Sequence, residues 1–347
     1  MTAAPGSEVN HDEHAMRRAL ELGEAVRGTT SPNPWVGCVI DAPSGTFEGA
    51  TQPPGGPHAE AVALAAAGSK ARGATLYTTL EPCCHHGRTP PCTEAIVAAG
   101  VARVVVAVSD PDPSVSGRGI AALREAGIEV ELGMAAASVS ESLAPYLKHR
   151  MTGRPLVVLK LAASLDGRIA APDGSSKWIT GGEAREDVQR LRAVCDAIVV
   201  GAGTVRADDP ALTVRKDPMG GRQPLRVVLG RVPPGARVHP AVELSGDPGA
   251  VLDQLGSMGV LQVMVEGGAK VAHEFHMAGL VDRYVFYMAP MLLGGDDSVP
   301  MFAGRGAHTL DAAWRGRLVS VKILGADLRV EVSGSEPDGG RREWEAA

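Results

Sequence analysis

Short runs of β-branched residues alternate with Ala-rich amphipathic stretches along this chain, and the alternation restarts near residue 155. VGCVI (36–40), ATLYTT (74–79), ARVVVAV (102–108) and IEVEL (128–132) read as strands. Residues 11–27, 58–67, 92–99, 118–126 and 138–150 read as the helices between and after them. Strands separated by a helix pair in parallel, because the crossover carries the chain back over the sheet. Beyond Gly153-Arg154-Pro155 the pattern begins again with LVVLKLAA (156–163), AIVVG (197–201), LRVVLG (225–230), LQVMVE (261–266) and RYVFYMAP (283–290). Helices are expected near 182–194, 248–258 and 269–279. The fold class is therefore α/β with mainly parallel sheets, in two domains, 1–152 and 153–333. Two cores also suit a chain of 347 residues better than one. The polar stretch GSEPDGGRREWEAA (334–347) is expected to be a disordered tail.

Bulk properties exclude several classes of function. A net charge of −6 and the lack of any Lys/Arg run argue against nucleic acid or an anionic membrane as partner. No apolar stretch approaches the length of a membrane span. The first residues, MTAAPGSEVNHDEHAM, lack the basic and apolar regions of a secretory signal, so a cytoplasmic location is expected. Aromatics make up only 3%, which predicts cores packed from Val, Leu, Ile and Ala. Three of the five cysteines fall within EPCCHHGRTPPC (81–92), a concentration that suits metal binding better than disulfides.

That cluster has an upstream partner in GGPHAEAVALAAAG, where a helix begins after a Gly-Pro punctuation and carries His58 and Glu60 in its first turn. His-x-Glu followed by Pro-Cys is the arrangement of zinc deaminases, in which a His and two Cys hold the metal and the Glu stays unligated. The metal lowers the pKa of a water and the free carboxylate moves its proton. The second cysteine ordinarily follows the first by three residues, and here that position is His86. Simple spacing thus selects His58, Cys83 and His86. Cys92 is the stronger choice, since it opens a helix whose dipole favours a thiolate. Cys84 reads as a bystander, and Cys38 and Cys195 as small core residues. A closed structural site using His58, Cys83, Cys92 and a loop histidine is the competing interpretation, and Glu60 beside a ligand argues against it.

The second half is less explicit. VGAGTVR offers only part of a dinucleotide fingerprint. Glu266-Gly267-Gly268 ends an apolar run and opens a helix, where free N–H groups can hold a phosphate; a plain tight turn would use the same glycines.

The motifs TSPNPWVG (30–37), PHAE (57–60) and EPC through GRTPPC (81–92) resemble the bifunctional deaminase/reductase of riboflavin biosynthesis. LKLAASLDGRIA (159–170), SSKWITG (175–181), VGAGTVRADDPALTVR (200–215) and VEGGAKVAHEF (265–275) resemble its reductase half, and the likeness runs from about His11 to Val332. The resemblance implies a cytidine-deaminase-like three-layer α/β/α domain followed by a dihydrofolate-reductase-like α/β domain. It selects His58, Cys83 and Cys92 as zinc ligands with Glu60 as the catalytic carboxylate. It places Asn33, His85 and Arg88 in the deaminase pocket, Arg88 being suited to a substrate phosphate. Ala162, Trp178, Thr204, Asp208 and the turn Gly268, Ala269, Lys270, Val271, Ala272, His273 and Glu274 correspond to an NADPH site. Ser176, Arg192, Leu212, Arg215 and Glu266 correspond to the substrate site, and Lys160 is expected at a strand end facing the same region. The implied partners are aminopyrimidine ribotides. Exposed edges in the second domain predict a homo-oligomer.

Two departures from the family stand out. The chain has no His near Ala50-Thr51, so the pocket edge is expected to differ. Between His239 and Leu261, the stretch ELSGDPGAVLDQLGSMG leaves room for only one helix, and a strand is expected to be lost there. A deaminase with a non-catalytic second domain is therefore the alternative. A structural zinc protein and a nucleic-acid base deaminase are more distant ones.

Overall fold

A computed structural model describes residues 11–86, 90–215 and 222–334. They divide into two compact units, one ending at Thr152 and the next beginning at Gly153. Gly334 closes the last strand, and residues 335–347, where a tail was expected, lie outside the described residues.

The first unit runs α1 (His11–Ala25), β1 (Gly37–Ala42), β2 (Gly45–Ala50), α2 (Ala59–Ala67), β3 (Thr75–Leu80), α3 (Cys92–Ala99), β4 (Arg103–Val108), α4 (Arg118–Glu125), β5 (Glu129–Leu132) and α5 (Ala136–Thr152). The sheet order is β2-β1-β3-β4-β5. β3, β4 and β5 are parallel, whereas β1 is antiparallel to both neighbours. Strand β2, GTFEGA, carries few strand-forming residues and was not expected from the sequence. Its composition answers to the helix above it: a Cβ on Gly49 would stand 2.2 Å from the Ala59 carbonyl oxygen. On the opposite face, a Cβ on Gly37 would meet the Ala19 carbonyl oxygen at 1.8 Å. Cys38 pairs with Gly49, so Gly37 and Gly49 point to opposite faces. Helices α1 and α2 therefore sandwich the sheet in three layers. Cys38 is fully buried, as a small core residue.

The second unit contains β6 (Leu156–Ser164), β7 (Arg168–Ala170), α6 (Gly182–Ala193), β8 (Ala197–Gly201), α7 (Ala202–Asp208), β9 (Leu225–Leu229), β10 (Val242–Leu244), α8 (Pro248–Ser257), β11 (Gln262–Val265), α9 (Ala269–Met277), β12 (Arg283–Ala289), β13 (Val299–Pro300), β14 (Gly316–Leu324) and β15 (Asp327–Gly334). Eight strands form one sheet, ordered β10-β9-β8-β11-β6-β12-β15-β14, and β7 pairs with β13 apart from it. The strands from β10 to β12 are parallel, and β15 and β14 add an antiparallel hairpin. Val199, Val227 and Val263 pack under α8 and α9 through Leu252, Leu255 and Phe275. Ile198, Val200, Val228 and Met264 pack in a second cluster with Val205 and Leu212. Burial on both faces explains why these strands read as unbroken apolar runs.

The expected strand loss between His239 and Leu261 did not occur. Residues 242–244 form β10, parallel to β9, ahead of α8. The link from β9 to β10 carries no helix, and the short segment still holds both the strand and α8. α8 is capped by Asp247, whose carboxylate accepts the Ala250 N–H at 3.0 Å, with Pro248 in the first turn.

Gly37→Ala is expected to cost about 1–3 kcal/mol or more, read as a lower urea midpoint by tryptophan fluorescence. Gly182→Ala, where no atom lies within 4 Å of the added carbon, should leave the midpoint nearly unchanged.

Candidate active sites

In the first unit, His58 is the extended residue immediately before α2, one position outside the turn where it was expected, and Glu60 lies within that turn. Cys83 follows β3, and Cys92 opens α3. The site thus forms beyond the carboxyl end of a parallel strand, where two helix N-termini converge. The His58 Nδ1 atom lies 3.5 Å from the Cys83 Sγ and 3.4 Å from the Cys92 Sγ. Zn–S and Zn–N bonds of about 2.3 and 2.0 Å at a tetrahedral angle separate N and S by about 3.5 Å, so the three donors suit zinc. Among the described residues they form the only such cluster, and no fourth protein donor completes it. His86 is exposed, 3.9 Å from Glu94, and Cys84 turns toward the Ser114 carbonyl at 3.8 Å.

The two thiols interact with each other and with the start of α3. The first N–H of α3, on Cys92, donates to the Cys83 sulfur at 3.3 Å. Hydrogen bonds from Cys92 and His58 bring the Cys83 thiol down to about 4. The Cys92 thiol is pushed up by its hydrogen bond to Cys83 and by burial. The N-terminal N–H of α3 thus reaches the sulfur next to the helix. Glu60 is only 4% exposed. Burial pushes its carboxyl up to about 7, which suits a group exchanging protons near neutrality.

A cleft of 360 Å³ opens onto this cluster, and Asn33 and His85 line it as expected. Arg88 lies outside the described residues. At Thr51, the hydroxyl accepts the Val36 N–H at 3.1 Å and so occupies the edge where a His was missing. The sequence reading missed Asp110, Asp112, Tyr146 and Arg150, all of which line the cleft. The first two belong to SDPDPS (109–114) directly after β4, and an acidic, Pro-rich loop at a strand's carboxyl end was the available signal. Tyr146 and Arg150 lie on α5 with no motif to mark them.

In the second unit, a cleft of 350 Å³ gathers Lys160, Arg192, Arg215 and Arg237 around Glu266. Arg192 donates two hydrogen bonds to the Glu266 carboxylate, at 2.7 and 2.9 Å, and Lys160 stands 3.7 Å away. Burial pushes the Glu266 carboxyl up, but Arg192 and Lys160 outweigh it and hold it below its ordinary value of 4.5. Lys160 lies inside β6 and not at a strand end, and burial lowers its ammonium. Asp208 fastens the loop before α6, accepting from Ser176 at 3.3 Å and facing Lys177 at 3.4 Å. That loop presents Trp178, 68% exposed, with the Arg185 guanidinium 4.7 Å from its ring centre.

Ala162, Thr204, Leu212 and Gly268 line the same cleft. Among the rest of the expected turn the picture differs. Ala272 is fully buried in the core, Val271 packs against it, and Ala269 is buried. Lys270 and Glu274 are exposed, and His273 packs against Gly304. None of Ala269 to Glu274 lines the cleft; what the turn offers there is the backbone at the start of α9. Arg185, Gln189 and Arg237 line it unannounced by any motif.

Residues 9–108 match the family model of the cytidine and deoxycytidylate deaminase zinc-binding region, and residues 155–330 match the RibD C-terminal domain. The riboflavin biosynthesis protein RibD of Escherichia coli K12 is 44% identical, covering 93% of this chain and 100% of its own length. That of Mycobacterium tuberculosis H37Rv is also 44% identical, covering 92% and 97%. A solved RibD from Acinetobacter baumannii superposes with a TM-score of 0.90 at 39% identity, covering 95% and 100%. A diaminohydroxyphosphoribosylaminopyrimidine deaminase/5-amino-6-(5-phosphoribosylamino)uracil reductase from Thermotoga maritima gives 0.86 at 34%, covering 93% and 98%.

The chain belongs to the deaminase/reductase family of riboflavin biosynthesis. It is a two-domain, bifunctional enzyme that uses zinc and NADPH, and both halves are present in full length. The reading of the second half as non-catalytic is thereby set aside. The three-ligand cluster beside a buried carboxylate likewise separates this family's site from a closed structural zinc site.

Cys92→Ser is expected to strip zinc from the purified protein, whereas Cys84→Ser and His86→Ala retain about one zinc per chain by atomic emission. For Glu266 the sign follows from its depressed carboxyl: the ion pairs stabilise above pH 4.5 and fade as pH falls below it. Glu266→Gln should therefore destabilise the protein by on the order of 3 kcal/mol at pH 7. The gap from the parent in thermal unfolding should shrink as the pH is lowered toward 3.

Proposed function

We propose that the first unit removes the 2-amino group of 2,5-diamino-6-(5-phosphoribosylamino)pyrimidin-4(3H)-one. The second unit then reduces the ribosyl chain with NADPH to give 5-amino-6-(5-phosphoribitylamino)uracil. The observation that carries the first step is the set His58, Cys83 and Cys92, three ligands with no fourth among the described residues, beside the buried Glu60. Zinc held by these residues would supply a water of lowered pKa as the nucleophile. Glu60 accepts the proton from that water and delivers it to the departing amine, a role suited to a carboxyl pushed up to about 7. Asn33 and His85 orient the pyrimidine from the cleft wall.

In the second unit, Arg192 and Arg215 hold the ribotide phosphate and Lys160 contacts the sugar, with Glu266 fixing Lys160 and Arg192 in place. Trp178, Thr204 and Asp208 would hold the nicotinamide end of NADPH, and the N-terminus of α9 at Gly268 would take its phosphates. The cofactor supplies the hydride, and the cleft aligns it with the opened ribose. The finer setting is a homo-oligomer in the cytoplasm. Its support is β14, an edge strand that exposes Leu318, Val321 and Ile323 at 59%, 52% and 75%, a surface suited to a second copy. No helix among the described residues is long and apolar enough to cross a membrane.

Mass spectrometry of products from the diaminopyrimidine ribotide, with and without NADPH, tests both steps. Deamination alone without cofactor and a further gain of two hydrogens with it are expected. Glu60→Gln should keep its zinc yet lose deamination by roughly 100-fold or more. If that variant deaminates normally, the role of Glu60 fails; if NADPH changes nothing, the assignment of residues 153–333 fails.

A further inference from the structure

The deaminase cleft is acidic. Glu60, Glu81, Asp110 and Asp112 all line it, and among the described residues Arg150 is the only Lys or Arg that does. A phosphorylated substrate brings a dianion to this entrance, and like charges in a half-enclosed cleft repel unless a cation meets them.

Arg150 is held at the cleft wall by two neighbours. Its guanidinium lies 5.0 Å from the centre of the Tyr146 ring, and its Nε stands 3.6 Å from the Asp112 carboxylate. That Nε is buried and makes no hydrogen bond among the described residues. Asp112 directs its other oxygen to Ser114, accepting the backbone N–H at 2.9 Å and the hydroxyl at 2.6 Å. Tyr146 donates its hydroxyl to Asp110 at 2.9 Å. Arg103 shows the contrast: it is committed to structure, donating to Asp12 at 2.7 Å and to Glu131 at 2.5 Å. Tyr146 and Asp112, each anchored by its own hydrogen bond, hold Arg150 in position at the cleft wall by ring stacking and charge.

We propose that Arg150 binds the 5-phosphate of the deaminase substrate and sets the preference for ribotide over riboside. The inference rests on the deaminase reading above and adds a second cation, from α5, to the loop arginine that the sequence resemblance selected. A guanidinium is suited to this role because it offers paired donors to phosphate oxygens and stays charged at every relevant pH.

The test compares the diaminopyrimidine ribotide with its dephosphorylated riboside in steady-state deamination by the full-length, zinc-loaded enzyme. In Arg150→Met, KM for the ribotide is expected to rise roughly 10- to 100-fold, with KM for the riboside rising less than about threefold. Inhibition by free ribose 5-phosphate should weaken in parallel. Arg150→Lys, which restores a cation, should recover a large part of the ribotide preference. Equal losses on both substrates, or no loss on either, would overturn the proposal. So would a Lys variant as impaired as the Met variant at equal zinc content, because a lost charge could then not be the cause. A parent enzyme inactive on both substrates would indict the deaminase reading instead.

Discussion

The deaminase site depends on how closely the backbone of α2 lies on the β1–β2 hairpin. Gly49 allows that approach, since any side chain there would collide with the carbonyl of Ala59. The contact fixes where α2 starts, and its start carries both His58 and Glu60. The side chains proposed as metal ligand and proton carrier are thereby held two residues apart at the start of a single helix. The other two ligands come from the end of β3 and the start of α3, which the parallel β3–β4 pair brings alongside.

The second unit solves a different problem, that of placing cations in a cleft without letting them repel one another apart. Glu266 does this by sitting between Arg192 and Lys160 at the mouth of the sheet. The sheet supplies Lys160 and Glu266 from neighbouring parallel strands, and α6 brings Arg192 over them. The arrangement uses one buried carboxylate to hold two positive side chains together and oriented, with Arg215 and Arg237 nearer solvent at the rim.

Legibility differed between the two halves for a physical reason. The deaminase ligands are local in sequence, as a His-x-Glu on one helix start and cysteines nine residues apart, so spacing alone narrows the chemistry. Even there, simple spacing favoured His86; the place of Cys92 at a helix start argued for it instead, and the family resemblance settled the choice. The reductase cleft draws on β6, the loop before α6, α6 itself, α7 and the turn after β11, and no short motif spans that set. Lys160 within an apolar strand and Arg192 on an ordinary polar helix carry no local mark. The hairpin β14–β15 was passed over although RLVSVKIL shows the alternation of a half-exposed strand. By contrast, β2 could not be read, because close packing against α2 and not strand propensity decides its residues.

By itself, the sequence determined the class of fold, the restart after Gly153 and the zinc chemistry of the first half, because periodicity and ligand spacing are written along the chain. Tertiary structure alone decided that Cys83, not Cys92, receives the helix N–H. It also decided that the shortened 239–261 segment keeps its strand, and that Tyr146, Asp112 and Arg150 share a wall with Glu60. Each of these depends on which groups meet across a sheet or between a helix and a loop, and distances of that kind are set by packing rather than by sequence separation.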